Sequence, residues 1–373
     1  MDYSVFPSGL QLDQLEHAVL VVDSGLHCRD GQPIRQTYLA RGTGLDDFPF
    51  GAPVPVDAVI EFSGQISTPC VWLRFVLFWH FGHMITETAG NVWPLFWDSF
   101  LDQFPNGLTV LVPAEHRQEI DFLERMVGRS GLSFVSTCSL PKPLLLDQVF
   151  VPRPSMVDRG MISVAHPEVM RRFLARYRRC IPLEGQACSV AWLASNPHGH
   201  AWMHGLVPSG GSSSLGKVYV SRSMLPENYR QLEGEKELEE LLLECGWSIC
   251  YPEKLSLSQQ LEVLASARVL AGCTGSAFHL LMACGLPRHV AVVLITLDYG
   301  LEINFQNQFK LQGVNAHVLP CLSHTGDKQG SSRNVRSEIP LDVLAAQIEE
   351  KAAGTEPDWA FWRGPVVTPG PRV

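Results

Sequence analysis

Three groups of residues have the types and spacing to do chemistry. In FWHFGHMITETAGNVWPLFW (78–97), His83 and Glu87 lie four residues apart, which on a helix puts them on one face. An imidazole beside a carboxylate can take a proton from a hydroxyl, one group acting as base and the other supporting it. A pair tying a helix to its own sheet would read the same way, since burying both groups in so apolar a segment needs a partner or a purpose. His80 extends the face to His-x-x-His-x-x-x-Glu, a spacing that suits zinc. No further ligand is evident, and no metal is expected.

The second and third groups are cationic and glycine-rich. Arg222 ends a strand-like run and Arg230 precedes a helix whose first turn holds Glu235, in KVYVSRSMLPENYRQLEGEKEL (217–238). An arginine at a strand end suits bidentate contact with a diphosphate, although pairing with a nearby acid would occupy it equally well. In VLAGCTGSAFHLLMAC (269–284) an apolar strand runs into a small-residue turn, and a helix is expected at once. Small residues permit close backbone approach, and the amides at a helix start seat phosphate. Tight packing alone would ask for the same residues. Two other segments look chemical and fail on inspection. Gly211 to Lys217 resembles a phosphate-binding loop, but Val218 stands where magnesium needs a hydroxyl, and a strand follows instead of a helix. His198, His200 and His204 sit in a Gly/Ser-rich stretch without rigid geometry for a metal.

These residues need a scaffold, and the chain is long enough for two cores. It has 373 residues, 46% apolar and 18% charged, the balance of a globular protein. A net charge of −9 argues against nucleic acid as partner. The ten cysteines are scattered and read as reduced thiols. The N-terminus lacks a basic start followed by an apolar run, so no signal peptide is expected. Val71 to Ile85 is too short to span a bilayer and reads as a packed helix. Strands are expected at 18–23, 57–62, 108–113 and 147–152, with helices over 82–100, 114–128 and 166–180, an alternation that suggests a parallel sheet. Residues 196–216 read as a linker or mobile loop. Strand and helix then alternate clearly from Lys217 to Cys321, and an amphipathic helix follows at 340–352. The expected organisation is an α/β protein. A first domain covers 1–195, a linker 196–216 and a second domain 217–325, with a helix and tail over 326–373 packing back on the body.

The order of these motifs resembles glycosyltransferase family 61, over roughly residues 70–325 and most strongly over 217–284. Ser221-Arg222 and Arg230 match the first elements of the family pattern, and Gly234-Glu235 stands where Asn-Glu is usual. Pro252-Glu253 and Gln259-Gln260 follow, and Gly272 to Ala277 fills the final Gly-x-His-Gly-Ala-type turn with Thr274 in place of His. Upstream, His83 and Glu87 match the family's His and acid. Leu280 stands where some members carry Asn.

The resemblance implies a GT-B fold, two Rossmann-like domains facing each other across a cleft. Donor contacts would come from Arg222, Arg230, Glu235, Glu253, Gln260, Thr274, Gly275, Ser276 and Ala277. Glu87 or His83 would be the base, with Glu87 favoured because an acid holds the family's position. It further implies an inverting, metal-independent transfer from a nucleotide-sugar, with UDP as the nucleotide, to a glycan or glycoconjugate hydroxyl. The place of action would be the cytoplasm or the inner face of a membrane, with peripheral association and no transmembrane anchor. Alternatives left open are a non-catalytic nucleotide or glycan binder, a transferase of a non-sugar group, and a metalloprotein using the His80/His83 face.

Overall fold

The computed structural model describes residues 10–354 apart from 23–24, 39–52, 57–60, 75, 77, 79–80, 114–116, 157–161, 181–205, 208–215, 227–228, 285–290, 298–299 and 326–333. The chain divides into two compact units, one within Met1–Pro182 and one within Leu183–Val366. Both are α/β, as expected.

The first unit holds β1 (Leu12–Val22), β2 (Gly25–His27), β3 (Gly64–Ile66), β4 (Cys70–Trp72), β5 (Leu108–Val112), β6 (Leu132–Ser136) and β7 (Leu144–Pro152). The sheet order is β2-β1-β7-β4-β5-β6, with β3 also on β7. β3 through β7 pair in parallel, and Trp72, Leu111, Val149 and Val151 form the core between them. The sheet is not wholly parallel, because β1 runs antiparallel to both β2 and β7. Only two residues separate β1 from β2, too few for the crossover that parallel pairing needs. Of the strand expected at 57–62, residues 57–60 lie outside the described residues, and Glu61 and Phe62 are not in a strand. The apolar run 71–85 is likewise not one helix, since β4 occupies its start.

The helix expected over 82–100 is broken into pieces: α-helix at Phe81–His83, a π-turn at Met84–Thr88, α-helix at Ala89–Val92, 3-10 helix at Trp93–Phe96 and α-helix at Asp98–Leu101. Pro94 lacks the amide that would continue the ladder. The Thr86 hydroxyl donates to the Gly82 carbonyl at 2.8 Å, a local competitor for a backbone acceptor inside the turn. Helices at Arg117–Val127 and His166–Cys180 match expectation.

The second unit holds β8 (Leu206–Val207), β9 (Lys217–Val220), β10 (Ser248–Cys250), β11 (Val269–Cys273), β12 (Ala291–Leu297), β13 (Asn315–His324) and β14 (Val335–Ser337). Their order is β14-β13-β12-β11-β9-β10-β8. The five central strands β10, β9, β11, β12 and β13 are parallel, with antiparallel strands at both edges. β8 falls inside the segment expected to be a linker. Buried on both faces, the central strands carry apolar runs such as 291–295 in β12. Helices at Glu235–Glu244, Leu257–Ser266 and Ile303–Gln312 connect them. The last helix, Leu341–Ala353, buries Leu344, Ala345 and Ile348 in this unit's core, and Lys217 Nζ reaches Glu349 at 2.8 Å. Among the described residues no helix is long and apolar enough to cross a membrane.

Candidate active site

Counted along the chain from β9, the parallel strands of the second unit lie in the order 2-1-3-4-5. The chain leaves β9 towards β10 on one side, and leaves β11 towards β12 on the other. Strand ends that part in this way open a crevice at their carboxyl edge, the usual ligand site of an open α/β sheet. The two cationic and glycine-rich segments meet there. Arg222 stands two residues beyond β9, and its Nη1 donates to the Thr274 carbonyl at 3.2 Å.

Two glycines make that approach possible. A Cβ on Gly272, whose φ is +157°, would lie 2.6 Å from the Val220 carbonyl. A Cβ on Gly275 would lie 2.6 Å from Arg222 Nη1. The first lets the neighbouring strand in and the second makes room for the guanidinium. Arg222 Nε is buried without a partner among the described residues, and burial pulls the Arg222 pKa below its ordinary value. Arg230, Gln231, Leu232, Cys273 and Thr274 line one recess with Arg222, together with the apolar side chains of Leu297, Leu322 and Val335. Gln231 to Glu233 are fastened to the sheet edge, Glu233 N donating to Val335 O at 2.8 Å and Val335 N to Gln231 O at 2.9 Å.

Beneath Arg222 the strand end is gripped by two carboxylates one helical turn apart. Glu235 Oε1 accepts from the Tyr219 hydroxyl at 3.0 Å and from the Arg222 backbone amide at 3.1 Å. Glu239 accepts from the Ser221 and Tyr251 hydroxyls, each at 2.6 Å. Glu235 therefore fixes where Arg222 leaves the strand and does not face the guanidinium as an ion-pair partner would. Burial pushes its carboxyl up to about 7, with the bonds from Arg222 N and Tyr219 opposing. Gly234, just before it, has φ +74°. Asn and Gly are the residues that enter this left-handed region most easily, so the Asn-to-Gly departure at 234 preserves a backbone requirement.

The other predicted donor residues divide. Thr274 contributes its carbonyl to Arg222, a contact that any residue could make. Ser276 and Ala277 are half-buried in a 3-10 turn, Ser276–Leu280, and no α-helix begins at Gly275 as was expected. The Gly275 carbonyl already accepts from Phe278 N, the tight i+3 pattern of such a turn. Glu253 is exposed on the turn Pro252–Lys254, and partial desolvation raises its carboxyl against the opposing pull of its own backbone amide, Lys254 and Arg222. Gln260 Nε2 donates to the Pro252 and Leu255 carbonyls at 2.8 and 3.1 Å and so staples that turn. Gln259 forms a capping box with Ser256. Glu239, Tyr219 and Tyr251 were not singled out from the sequence. The signal for Glu239 lies in helix periodicity, which turns Glu235 and Glu239 inward beside the core residues Leu238 and Leu242, whereas the two tyrosines lie in or just after strands.

In the first unit, His83 Nδ1 makes a short hydrogen bond to Glu87 Oε2 across the π-turn. Glu87 is 2% exposed and the His83 side chain 32%. A buried carboxylate on one ring nitrogen fixes the tautomer and would stabilise an imidazolium. His80 and the histidines at 198, 200 and 204 lie outside the described residues. Among the described residues no three His, Cys, Asp or Glu side chains group as a metal would need.

The sequence model of the family Glycosyltransferase 61 matches residues 81–293. No curated protein matches the chain. Among solved structures, Escherichia coli heptosyltransferase WaaC with ADP matches at 12% identity, over 77% of this chain and 99% of that one, with a TM-score of 0.27.

Proposed function

The chain belongs to glycosyltransferase family 61 and is a glycosyltransferase, and from that premise we propose a metal-independent, inverting transfer of a sugar from UDP-sugar to a hydroxyl of a glycan or glycoconjugate. The observation carrying this reading is Arg222 lying against Thr274 and Gly275 where β9 and β11 part. A diphosphate set there meets the Arg222 and Arg230 cations, which neutralise charge on the leaving group in the role a metal often takes. Each charge-assisted contact contributes roughly 1.5–3 kcal/mol.

The acceptor side falls to His83 and Glu87. The half-exposed imidazole receives the acceptor proton as its oxygen attacks the anomeric carbon, and buried Glu87 stabilises the imidazolium. The bond to the β-phosphate oxygen breaks and its electron pair leaves with UDP. This reverses the preference for Glu87 as base, because the better buried partner is the better support. Synthesis of surface polysaccharide or glycoconjugate at the cytoplasmic face of a membrane fits such a donor.

The departures from the family pattern at 234 and 274 do not favour a non-catalytic binder, because both positions act through their backbone. The test is calorimetry of UDP with chelator present, followed by transfer from a panel of nucleotide-sugars. Arg222→Ala should weaken UDP by about 10–100-fold; unchanged affinity removes the diphosphate assignment. A strict need for manganese overturns the metal-free reading.

A further inference from the structure

Arg74 is 8% exposed, lies two residues beyond β4, and has a buried Nε with no acceptor among the described residues. Leu73 N still bonds Leu111 O at 3.1 Å, so the strand path runs on to the arginine. The register pairs Val71 with Phe150 on β7, which sets Arg74 level with Arg153 at the carboxyl edge of two neighbouring parallel strands. Asp13 is the carboxylate within reach of both, and it is already engaged. Arg153 Nε contacts its two oxygens at 3.2 and 3.1 Å, and Nη2 contacts Oδ1 at 3.1 Å. Arg74 is thus a nearly buried cation that makes no ion pair among the described residues, near an Asp13 already held by the second cation, Arg153. Burial lowers its pKa to about 10, which still leaves it charged near neutrality.

A lone buried charge is costly, and such groups are held where a ligand supplies the missing partner. The segment bearing His83 and Glu87 is fastened over this same edge. Trp93 Nε1 donates to Arg153 O at 3.0 Å, and Ser155 N donates to Gly90 O at 3.0 Å. The proposed base and the unpaired arginine therefore belong to one end of one sheet.

We propose that Arg74, set at the strand end beside Arg153 and beneath the helix of His83 and Glu87, seats an oxyanion carried by the acceptor sugar. The anion is a carboxylate or a phosphate ester, and the guanidinium fork takes two of its oxygens. This inference rests on the acceptor side being in the first unit, as read above.

The experiment uses the full chain carrying Arg222→Ala, so that the diphosphate seat cannot answer for the anion. Thermal unfolding is followed with glucuronate, glucose 1-phosphate and neutral glucose. Glucuronate or glucose 1-phosphate should raise Tm while glucose does not, and the stronger of the two tells carboxylate from phosphate. Adding Arg74→Met, which keeps the stem and removes the charge, should abolish the shift and leave the unliganded Tm equal or higher. Arg74→Lys keeps the charge without the fork and should weaken the anion about tenfold; it carries the test if the methionine variant fails to fold. A response to anions equal to that of the parent in either variant, or no response in the parent, overturns the proposal. UDP calorimetry on the otherwise native chain reports on the donor reading alone, so the two can fail separately.

Discussion

The two units handle buried charge in opposite ways. In the second, Glu239 accepts two hydroxyls and Glu235 accepts a hydroxyl and a backbone amide, all from the strand end or the neighbouring β10 edge. The carboxylates are internal struts, and what they aim outward is a cation. In the first unit, Glu87 bonds the half-exposed imidazole of His83 on a distorted helical turn, and Arg74 makes no ion pair among the described residues, with Asp13 nearby but held by Arg153. Each unit leaves one guanidinium Nε buried without an acceptor among the described residues, Arg222 in the second and Arg74 in the first, but only the second braces its strand end with two buried carboxylates. That is the arrangement expected if one unit must grip a charged group and the other must move a proton.

Several substitutions would break or sharpen this contrast. The largest effect is expected at Glu87→Gln, which keeps the shape and removes the support for an imidazolium. Transfer should fall by about 10²–10⁴ while UDP affinity is unchanged. Full activity would mean that the buried acid of the first unit is merely structural.

Glu235→Gln comes next and reads the strut. Its carboxyl holds a proton in the folded protein up to about 7 against an ordinary 4.5. The folded state therefore binds the proton more tightly, and that stabilisation is fully present below 4.5 and lost as pH rises towards 7. Native protein should lose up to ~3 kcal/mol across this window relative to the glutamine variant. Urea unfolding at a series of pH values measures it, and parallel profiles would mean that Glu235 is not held in this state.

Gly275→Ala is the mildest. Its φ is near 180°, so alanine fits the backbone, yet the new methyl would stand 2.6 Å from Arg222 Nη1. The flexible end of the arginine should move aside, weakening UDP about tenfold with little change in Tm. A matched loss of stability would show that the guanidinium is locked into the fold.

The second unit was more legible in the sequence than the first, for a physical reason. Buried parallel strands read as largely apolar runs, as β11 (Val269–Cys273) and β12 (Ala291–Leu297) do. Arg222 and the 272–277 turn sit at the ends of such runs, so their meeting followed from topology. Gln260 is expected from the resemblance as a donor contact, although Ser256-x-x-Gln259 just before it is a helix-start signal that sets its place on the turn. In the first unit, antiparallel β1 pairs with β7 across more than a hundred intervening residues, and nothing in local periodicity announces a partner so distant. The π-turn was equally hidden, since a side chain bonding one turn back leaves no mark on an apolar stripe.

The bridge between Leu232 and Val335 has a further meaning for how the protein is made. The strand that walls one side of the Arg222 recess is synthesised long after the arginine itself. On the ribosome, Glu233 N and the Gln231 carbonyl must wait for their partner until Val335 emerges. That wall of the recess is therefore closed by a contact between residues about a hundred positions apart, made only when the second unit is nearly complete.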